Sequence, residues 1–292
     1  MTTITDTKKV SALEAGTVKI GNFIVNRMGL GAMRLTGEGI WGPPADPAAA
    51  RRLLRRAVDL DVNFIDTADA YGPKVSEKLI RDALDPYEGL IIATKGGLKR
   101  TGPGVWYPDG SPEHLQEACL ASLKRLGVDK ITLYQLHRPD PAVPLRKSLE
   151  ALAELQRAGK IRYIGLSNVT LRQLQEALEI TSIVSVQNPY NLQFRRRSEG
   201  VVNLCEEQGI AFVPYFPMGG GGGDLGRNML RRVARRHGAT PHQIALAWLL
   251  ARSPVILPIP GTSSIQHLEA NVAAGSIRLS EKDMADLNTL SD

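Results

Sequence analysis

Short apolar runs alternate along this chain with longer segments in which apolar residues return every three or four positions. The runs are RMGLGAM (27–33), NFIDTA (63–68), LIIATK (90–95), ITLYQLH (131–137), RYIGLSN (162–168), IVSVQNPY (183–190), IAFVPYF (210–216) and VILPIPG (255–261). Between them lie PAAARRLLRRAVDL (47–60), EHLQEACLASLKRLG (113–127), LRKSLEALAELQRAG (145–159), LRQLQEALEI (171–180) and PHQIALAWLLARS (241–253). The first kind has the length and composition of a strand, the second the period of an amphipathic helix. Ahead of them, TVKIGNFIV reads as a hairpin turning at Gly21-Asn22. The strand-like runs are apolar on both faces and none alternates as an edge strand does, so the strands are predicted to be parallel, covered by helices and closed on themselves. The predicted fold is α/β, a (β/α)8 TIM barrel with a short N-terminal β-hairpin, and 292 residues is near the usual size of one.

Local punctuation agrees. Gly127, Gly159, Gly209 and Gly238 stand where helical patterns end, and Ser111-Pro112 and Thr240-Pro241 have the cap-then-proline order that opens a helix. No composition shift or long linker divides the chain, so one domain is expected over 1–292, with 1–16 a flexible N-terminal segment. The glycine run Gly219 to Gly223 fits neither strand nor helix and is expected to be a mobile loop over a ligand.

Composition narrows the setting. There is no apolar run of about 18 residues and no signal-peptide core at the start, which points to a soluble cytoplasmic protein with no membrane partner. The only cysteines, Cys119 and Cys205, lie inside helical patterns without metal spacing and read as reduced, structural thiols; no metal site is expected. The net charge of +6 is modest for this length. RRLLRR (51–56) and RRVARR (231–236) place arginines on solvated helix faces with Leu53, Leu54 and Val233 inward, so no nucleic-acid partner is implied. Arg195, Arg196 and Arg197 fall in a predicted loop, a weak attractor for an anion.

The candidate chemistry follows from where the polar residues fall. In a barrel of this kind the site is built at the carboxyl ends of the strands. Those ends carry Asp66 then Tyr71, Lys95, His137, Ser167 with Asn168, Gln187 with Asn188, Tyr215, and IPGTSS. A lone buried lysine or histidine is usually structural; several strand ends converging on polar groups point to a site.

Taken in order, DTADAYG, TKGG with Lys95, LYQLH with His137, GLSN, VQNPYN and IPGTSS resemble the aldo-keto reductase superfamily across nearly the whole chain. The resemblance implies a barrel that binds an extended nicotinamide dinucleotide, and no G-x-G-x-x-G opens a helix here. It implies a catalytic tetrad of Asp66, Tyr71, Lys95 and His137. Hydride delivery to a carbonyl carbon leaves charge on oxygen, so a proton donor is needed there. Tyr71 is the candidate; the Lys95 ammonium is expected to favour its phenolate, Asp66 to hold Lys95 charged, and His137 to orient the carbonyl. Asp69 has no assigned role beyond a loop or capping hydrogen bond.

The same resemblance implies the cofactor residues. Ser167, Asn168 and Gln187 are expected to bond the nicotinamide carboxamide and Tyr215 to stack on the ring, although Ser167-Asn168 could simply cap the next helix. Pro217 and Gly219 lie beside the cofactor in this reading. The hydroxyls of Thr262, Ser263 and Ser264 stand at a helix start suited to a phosphate, beside Gly261, with His267 and with Asn271 toward the adenine. Many NADPH-using relatives carry a lysine, an arginine and a glutamate where Gly261, His267 and Ala270 stand, so the implied NADPH preference over NADH is modest.

GEGIWGPP (37–44), PYFPMGGG (214–221) and IPGTSSIQHLEAN look like the bacterial pyridoxal reductase group. Trp41, Trp106 and Phe194 are the candidate substrate pocket, an aromatic wall for a planar ring, with packing between loops as the alternative. Pyridoxal is therefore the named carbonyl substrate; another small aldehyde, a sugar-derived carbonyl or a biosynthetic ketone are alternatives. A regulatory cofactor-binding barrel like a potassium-channel β subunit is a further one, against which the intact tetrad speaks. A monomer or weak homo-oligomer is expected.

Overall fold

A computed structural model describes residues 10–217 and 227–290. The hairpin forms as read: β1 (Thr17–Ile20) pairs antiparallel with β2 (Phe23–Asn26) through a turn in which Gly21 takes φ 57°. It plugs one end of the barrel. Val18, Ile20 and Val25 pack against Phe64, Ile91, Leu133 and Leu257 at the barrel axis, and the Asn22 amide donates to the Tyr163 hydroxyl at 3.0 Å. The described part of the 1–16 segment departs from expectation: residues Ala12–Ala15 form a 3-10 turn, with Ala12 and Ala15 buried in the core and the Ala12 amide bonded to Leu60 O at 2.8 Å.

The parallel strands run in chain order around the barrel: β3 (Leu30–Gly31), β4 (Phe64–Asp66), β5 (Ile91–Gly96), then, past an antiparallel hairpin of β6 (Leu98–Gly102) and β7 (Val105–Pro108), β8 (Ile131–Leu136), β9 (Ile161–Ser167), β10 (Ile183–Gln187) and β11 (Ala211–Phe212). The eighth run, at 255–261, closes the ring with only an isolated bridge. Leu257 N–H donates to Phe212 O at 2.8 Å on one side, and Gly29 N–H donates to Pro258 O at 2.9 Å on the other. Pro258 and Pro260 lack the amides a full ladder needs, which is why this run and β3 are so short. Gly31 permits the closure, since a Cβ there would lie 2.8 Å from Ile259 O.

The helices α1 (Pro47–Asp59), α2 (Val75–Leu84), α3 (Pro112–Leu126), α4 (Leu145–Arg157), α5 (Leu171–Ile180), α6 (Arg196–Gln208), α7 (Arg227–Arg236), α8 (Pro241–Arg252), α9 (Ile265–Ala273) and α10 (Glu281–Asn288) complete the order. Their starts follow the chemistry at their caps: Ser111 and Thr240 accept from the amides three residues on, each with proline at the first turn, and Gly127 and Gly209 end α3 and α6 in the left-handed region. Leu53, Leu54 and Val233 are buried while Arg52, Arg55, Arg231 and Arg232 are exposed, as the helical period requires. One placement differs. Arg195 caps α6 and Arg196 and Arg197 are inside its first turn rather than in a loop, because Asn191 closes the preceding turn by accepting from Gln193 and Phe194 amides. Cys119 and Cys205 are free and fully buried, and burial pushes each thiol up to about 12. Among the described residues no helix is long and apolar enough to cross a membrane, and no group of side chains is arranged to hold a metal.

Candidate functional site

Three strand ends bring four residues together from positions 66 to 137. Asp66 is the last residue of β4, Lys95 is in β5, and His137 follows β8, anchored by its amide on Gly96 O at 2.9 Å. Tyr71 sits in the turn after β4, and its carbonyl accepts from Val75 and Ser76 amides at the start of α2. Lys95 Nζ donates to Asp66 Oδ2 at 2.6 Å, to Thr67 O at 2.8 Å and to the Tyr71 hydroxyl at 3.3 Å. With Lys95 fully buried, the ammonium has its three hydrogens matched by three acceptors.

Burial and charge pull these groups in opposite directions. For Lys95 burial lowers the pKa, but Asp66, Tyr71 and their hydrogen bonds outweigh it and hold the ammonium above its ordinary 10.5. The expectation that Lys95 would favour the Tyr71 phenolate is met only in part. Burial is the larger influence and raises the phenol above its usual 10.0, with Lys95 pulling it back and Asp66 pushing it up. The proton therefore stays on Tyr71 at neutral pH. His137 is held well below 6.5, by burial first and then by the Lys95 and Arg138 charges, so the imidazole is neutral; its Nδ1 is buried without a partner. Asp69 keeps the loop role expected of it, its carboxyl accepting from the Ala70 amide, but Oδ1 is enclosed and unpartnered, and burial, then the Glu77 charge, push the carboxyl up to about 8.

The tetrad opens on a cavity of about 410 Å³. Asp66, Tyr71 and His137 line it, as do the sequence-predicted Ser167, Asn168, Gln187, Tyr215, Pro217 and Gly261. Asn168 takes a left-handed φ of 61°, its Oδ1 accepts from the Tyr215 hydroxyl at 2.7 Å and its Nδ2 donates to His137 O at 2.9 Å, so the ring of Tyr215 is tethered to the strand ends. A flat ring bearing an amide fits this set: a hydroxyl and two side-chain amides on one wall, an aromatic face on another. Thr262, Ser263 and His267 lie outside the lining around the start of α9, and Asn271 outside it in the last turn of that helix. Thr262 Oγ1 accepts from Ser264 N–H and Ser264 Oγ from His267 N–H, which leaves Ser263 and the His267 ring exposed and Asn271 buried. Gly219 lies outside the described residues.

Of the aromatic candidates only Trp106 lines the cavity. Its ring stands edge-on to Tyr71 at 6.4 Å and to His137 at 6.3 Å. Trp41 is one layer back, against Arg100, and Phe194 is 57% exposed on a turn away from the cavity. The sequence places both in the substrate wall, but proximity along the chain to a strand end does not translate into a side chain lining the cavity.

Lining residues such as Arg34, Ile40, Arg138 and His242 were missed from the sequence, as were two residues that support the site. Gln135 Nε2 donates to Asp66 Oδ1 at 3.2 Å, beside Gln187 Nε2 at 2.9 Å, so both oxygens of Asp66 are bonded. Strand alternation could have found it, since Leu133, Gln135 and His137 share one face. Arg100, in the unpredicted hairpin, packs on Trp106 at 3.6 Å, and no motif in the chain signals it.

The model of the aldo/keto reductase family matches residues 27–292. The chain is 51% identical over 279 residues to an uncharacterized oxidoreductase of Schizosaccharomyces pombe, covering 96% of this chain and 91% of that one. It is 45% identical over 286 residues to pyridoxine 4-dehydrogenase of Escherichia coli, covering 96% and 99%. Among solved structures, an aldo-keto reductase from Klebsiella pneumoniae in complex with NADPH superposes with a TM-score of 0.80 at 29% identity, covering 94% of each chain.

Proposed function

The chain belongs to the aldo/keto reductase family and is an NAD(P)H-dependent oxidoreductase; from that premise we propose that it uses NADPH to reduce an aldehyde or ketone, with pyridoxal to pyridoxine as the leading pair. The observation that carries this reading is the Tyr71 hydroxyl, 3.3 Å from a fully buried Lys95 ammonium that is itself paired with Asp66, on the wall of a cavity large enough for a ring.

When bound, the reduced nicotinamide supplies a hydride to the carbonyl carbon. The residues of this chain handle everything else. Ser167, Asn168 and Gln187 would hold the carboxamide and so choose the ring face, and the tethered Tyr215 would offer its ring for stacking. Tyr71 bonds the carbonyl oxygen and gives it the proton as the C=O π pair moves onto oxygen, leaving a phenolate. Lys95 stabilises that phenolate across 3.3 Å, and Asp66 keeps Lys95 charged. His137 is neutral, so it polarises the carbonyl as a hydrogen-bond donor in the tautomer that carries the proton on Nε2, Nδ1 being enclosed, without placing a second cation beside Lys95. Exposed Ser263 and His267 serve the adenosine phosphate near the start of α9, and buried Asn271 the adenine.

The substrate is argued from two supports: the identity to pyridoxine 4-dehydrogenase over nearly all of both chains, and the edge-on triangle of Tyr71, Trp106 and His137 rings, which suits a flat heteroaromatic ring. Steady-state NADPH oxidation with pyridoxal, pyridoxal phosphate, benzaldehydes and simple ketones tests it. Turnover of pyridoxal well above a generic aldehyde is expected. No preference removes the substrate assignment; no turnover across the panel removes catalysis and leaves a cofactor-binding barrel.

A further inference from the structure

Arg100 makes a set of contacts that the reaction as described does not use. It stands in β6, on the unpredicted hairpin, and all five of its N–H groups reach backbone carbonyls. Nε donates to Val105 O at 3.0 Å; Nη1 to Ile40 O at 3.0 Å and Ala70 O at 3.1 Å; Nη2 to Gly39 O at 3.0 Å and Gly102 O at 3.3 Å. These carbonyls belong to three separate stretches: the hairpin itself, the 37–43 loop, and the turn that ends in Tyr71. The flat face of the guanidinium lies on the Trp106 ring at 3.6 Å, with the Trp41 ring at 5.5 Å. No carboxylate is paired with it among the described ion pairs.

The segment it holds is strained. Gly39 and Ile40 both take positive φ, 63° and 57°, and a β-branched residue rarely does so. Such a conformation persists only where its surroundings over-determine it. Ile40 O accepts from both Arg100 and the Gly72 amide, and Gly39 O from both Arg100 and the Gly104 amide. Ile40 and Trp106 line the same cavity as the strand-end residues that serve the cofactor.

We propose that Arg100 is a positioning residue for substrate specificity: it fixes Trp106 and Ile40 against Tyr71, and so gives the substrate half of the cavity a rigid flat wall that selects planar carbonyl compounds. This rests on the carbonyl-reductase reading above. Lysine cannot replace it, because an ammonium has neither five in-plane donors nor a flat face to stack.

The test uses the full chain with Arg100→Lys and Arg100→Gln, each first checked for parental thermal unfolding and NADPH affinity. For 4-nitrobenzaldehyde, KM should rise about tenfold with kcat within about twofold, the size of one lost aromatic wall contact; for propanal neither constant should move. In a Trp106→Ala background Arg100→Lys should add only the small part that runs through Ile40, since most of its effect runs through that ring. Equal losses for both aldehydes, or no loss for either, overturn the proposal. A second readout does not depend on turnover. With Trp41→Phe, emission comes from Trp106 and the fully buried Trp248, and acrylamide quenching should increase when Arg100 becomes Lys. If quenching is unchanged, the positioning role fails whatever the kinetics. If quenching rises but the parent reduces no carbonyl, the positioning stands and the reductase reading fails.

Discussion

Replacing Asp66 with Asn isolates the burial of Lys95, because the two shapes are alike and only charge and one acceptor are lost. The ammonium is fully buried, 2.6 Å from Asp66 Oδ2, while Oδ1 accepts from Gln135 and Gln187. Asparagine has one oxygen for these donors, so an NH2 must face either the lysine or the glutamines. Breaking a buried pair in this way costs about 3–5 kcal/mol. A ceiling exists, however, since the lysine can lose its proton instead. From an ordinary pKa of 10.5, deprotonation at pH 7 costs three and a half units at about 1.36 kcal/mol each, about 4.8 kcal/mol. Above about pH 7 to 8, where that ceiling falls below the cost of the broken pair, the folded lysine of the variant is neutral and the unfolded one charged, so the unfolded chain binds the extra proton and stability rises with pH by up to about 1.4 kcal/mol per unit. At pH 9 the ceiling is therefore about 2 kcal/mol. In the parent Lys95 is charged in both states over this range, its folded pKa being raised, and its contribution is lost only as pH climbs from the unfolded toward the folded value. Urea unfolding followed by far-UV circular dichroism at pH 7, 8 and 9 measures the difference. A penalty that shrinks toward pH 9 is expected. A penalty below about 1 kcal/mol at pH 7, under the range for a broken buried pair, or one that does not change with pH, refutes the reasoning.

Three further outcomes follow from the same geometry. Tyr71→Phe should lower single-turnover carbonyl reduction by about 10²- to 10⁴-fold with NADPH affinity nearly unchanged, and a parental rate with normal cofactor binding would remove Tyr71 as donor. Because burial holds Tyr71 above 10.0 and His137 well below 6.5, neither should give kcat/KM for reduction an inflection between those values, where the buried Asp69 carboxyl, pushed up to about 8, titrates; an inflection near 6.5 that disappears in His137→Gln would show a charged imidazole instead. Fluorescence titration should show NADPH binding more tightly than NADH, with Ser263→Ala weakening NADPH selectively by about 1 kcal/mol for one phosphate hydrogen bond; equal affinities in the parent would end that assignment.

The chain's own periodicities determined which residues turn inward at the strand ends. Asp66, Lys95, His137, Ser167 and Gln187 each close an apolar run, and a closed barrel sends such positions to one mouth whatever the details of closure. Cap and glycine chemistry likewise determined most helix limits, because those interactions span only three or four residues. What the tertiary structure decided are distances between residues far apart in the chain. Gln135 and Gln187 stand 69 and 121 positions from Asp66, and nothing local says that both amides converge on one carboxylate oxygen. Nor could the sequence separate Trp106, which reaches the cavity, from Phe194, which does not, since both follow strand ends and only the hairpin's fold over the barrel mouth distinguishes them. The direction of the Tyr71 shift belongs here too: a neighbouring lysine is visible in the motif, but burial, the larger influence, exists only once the barrel has closed around it.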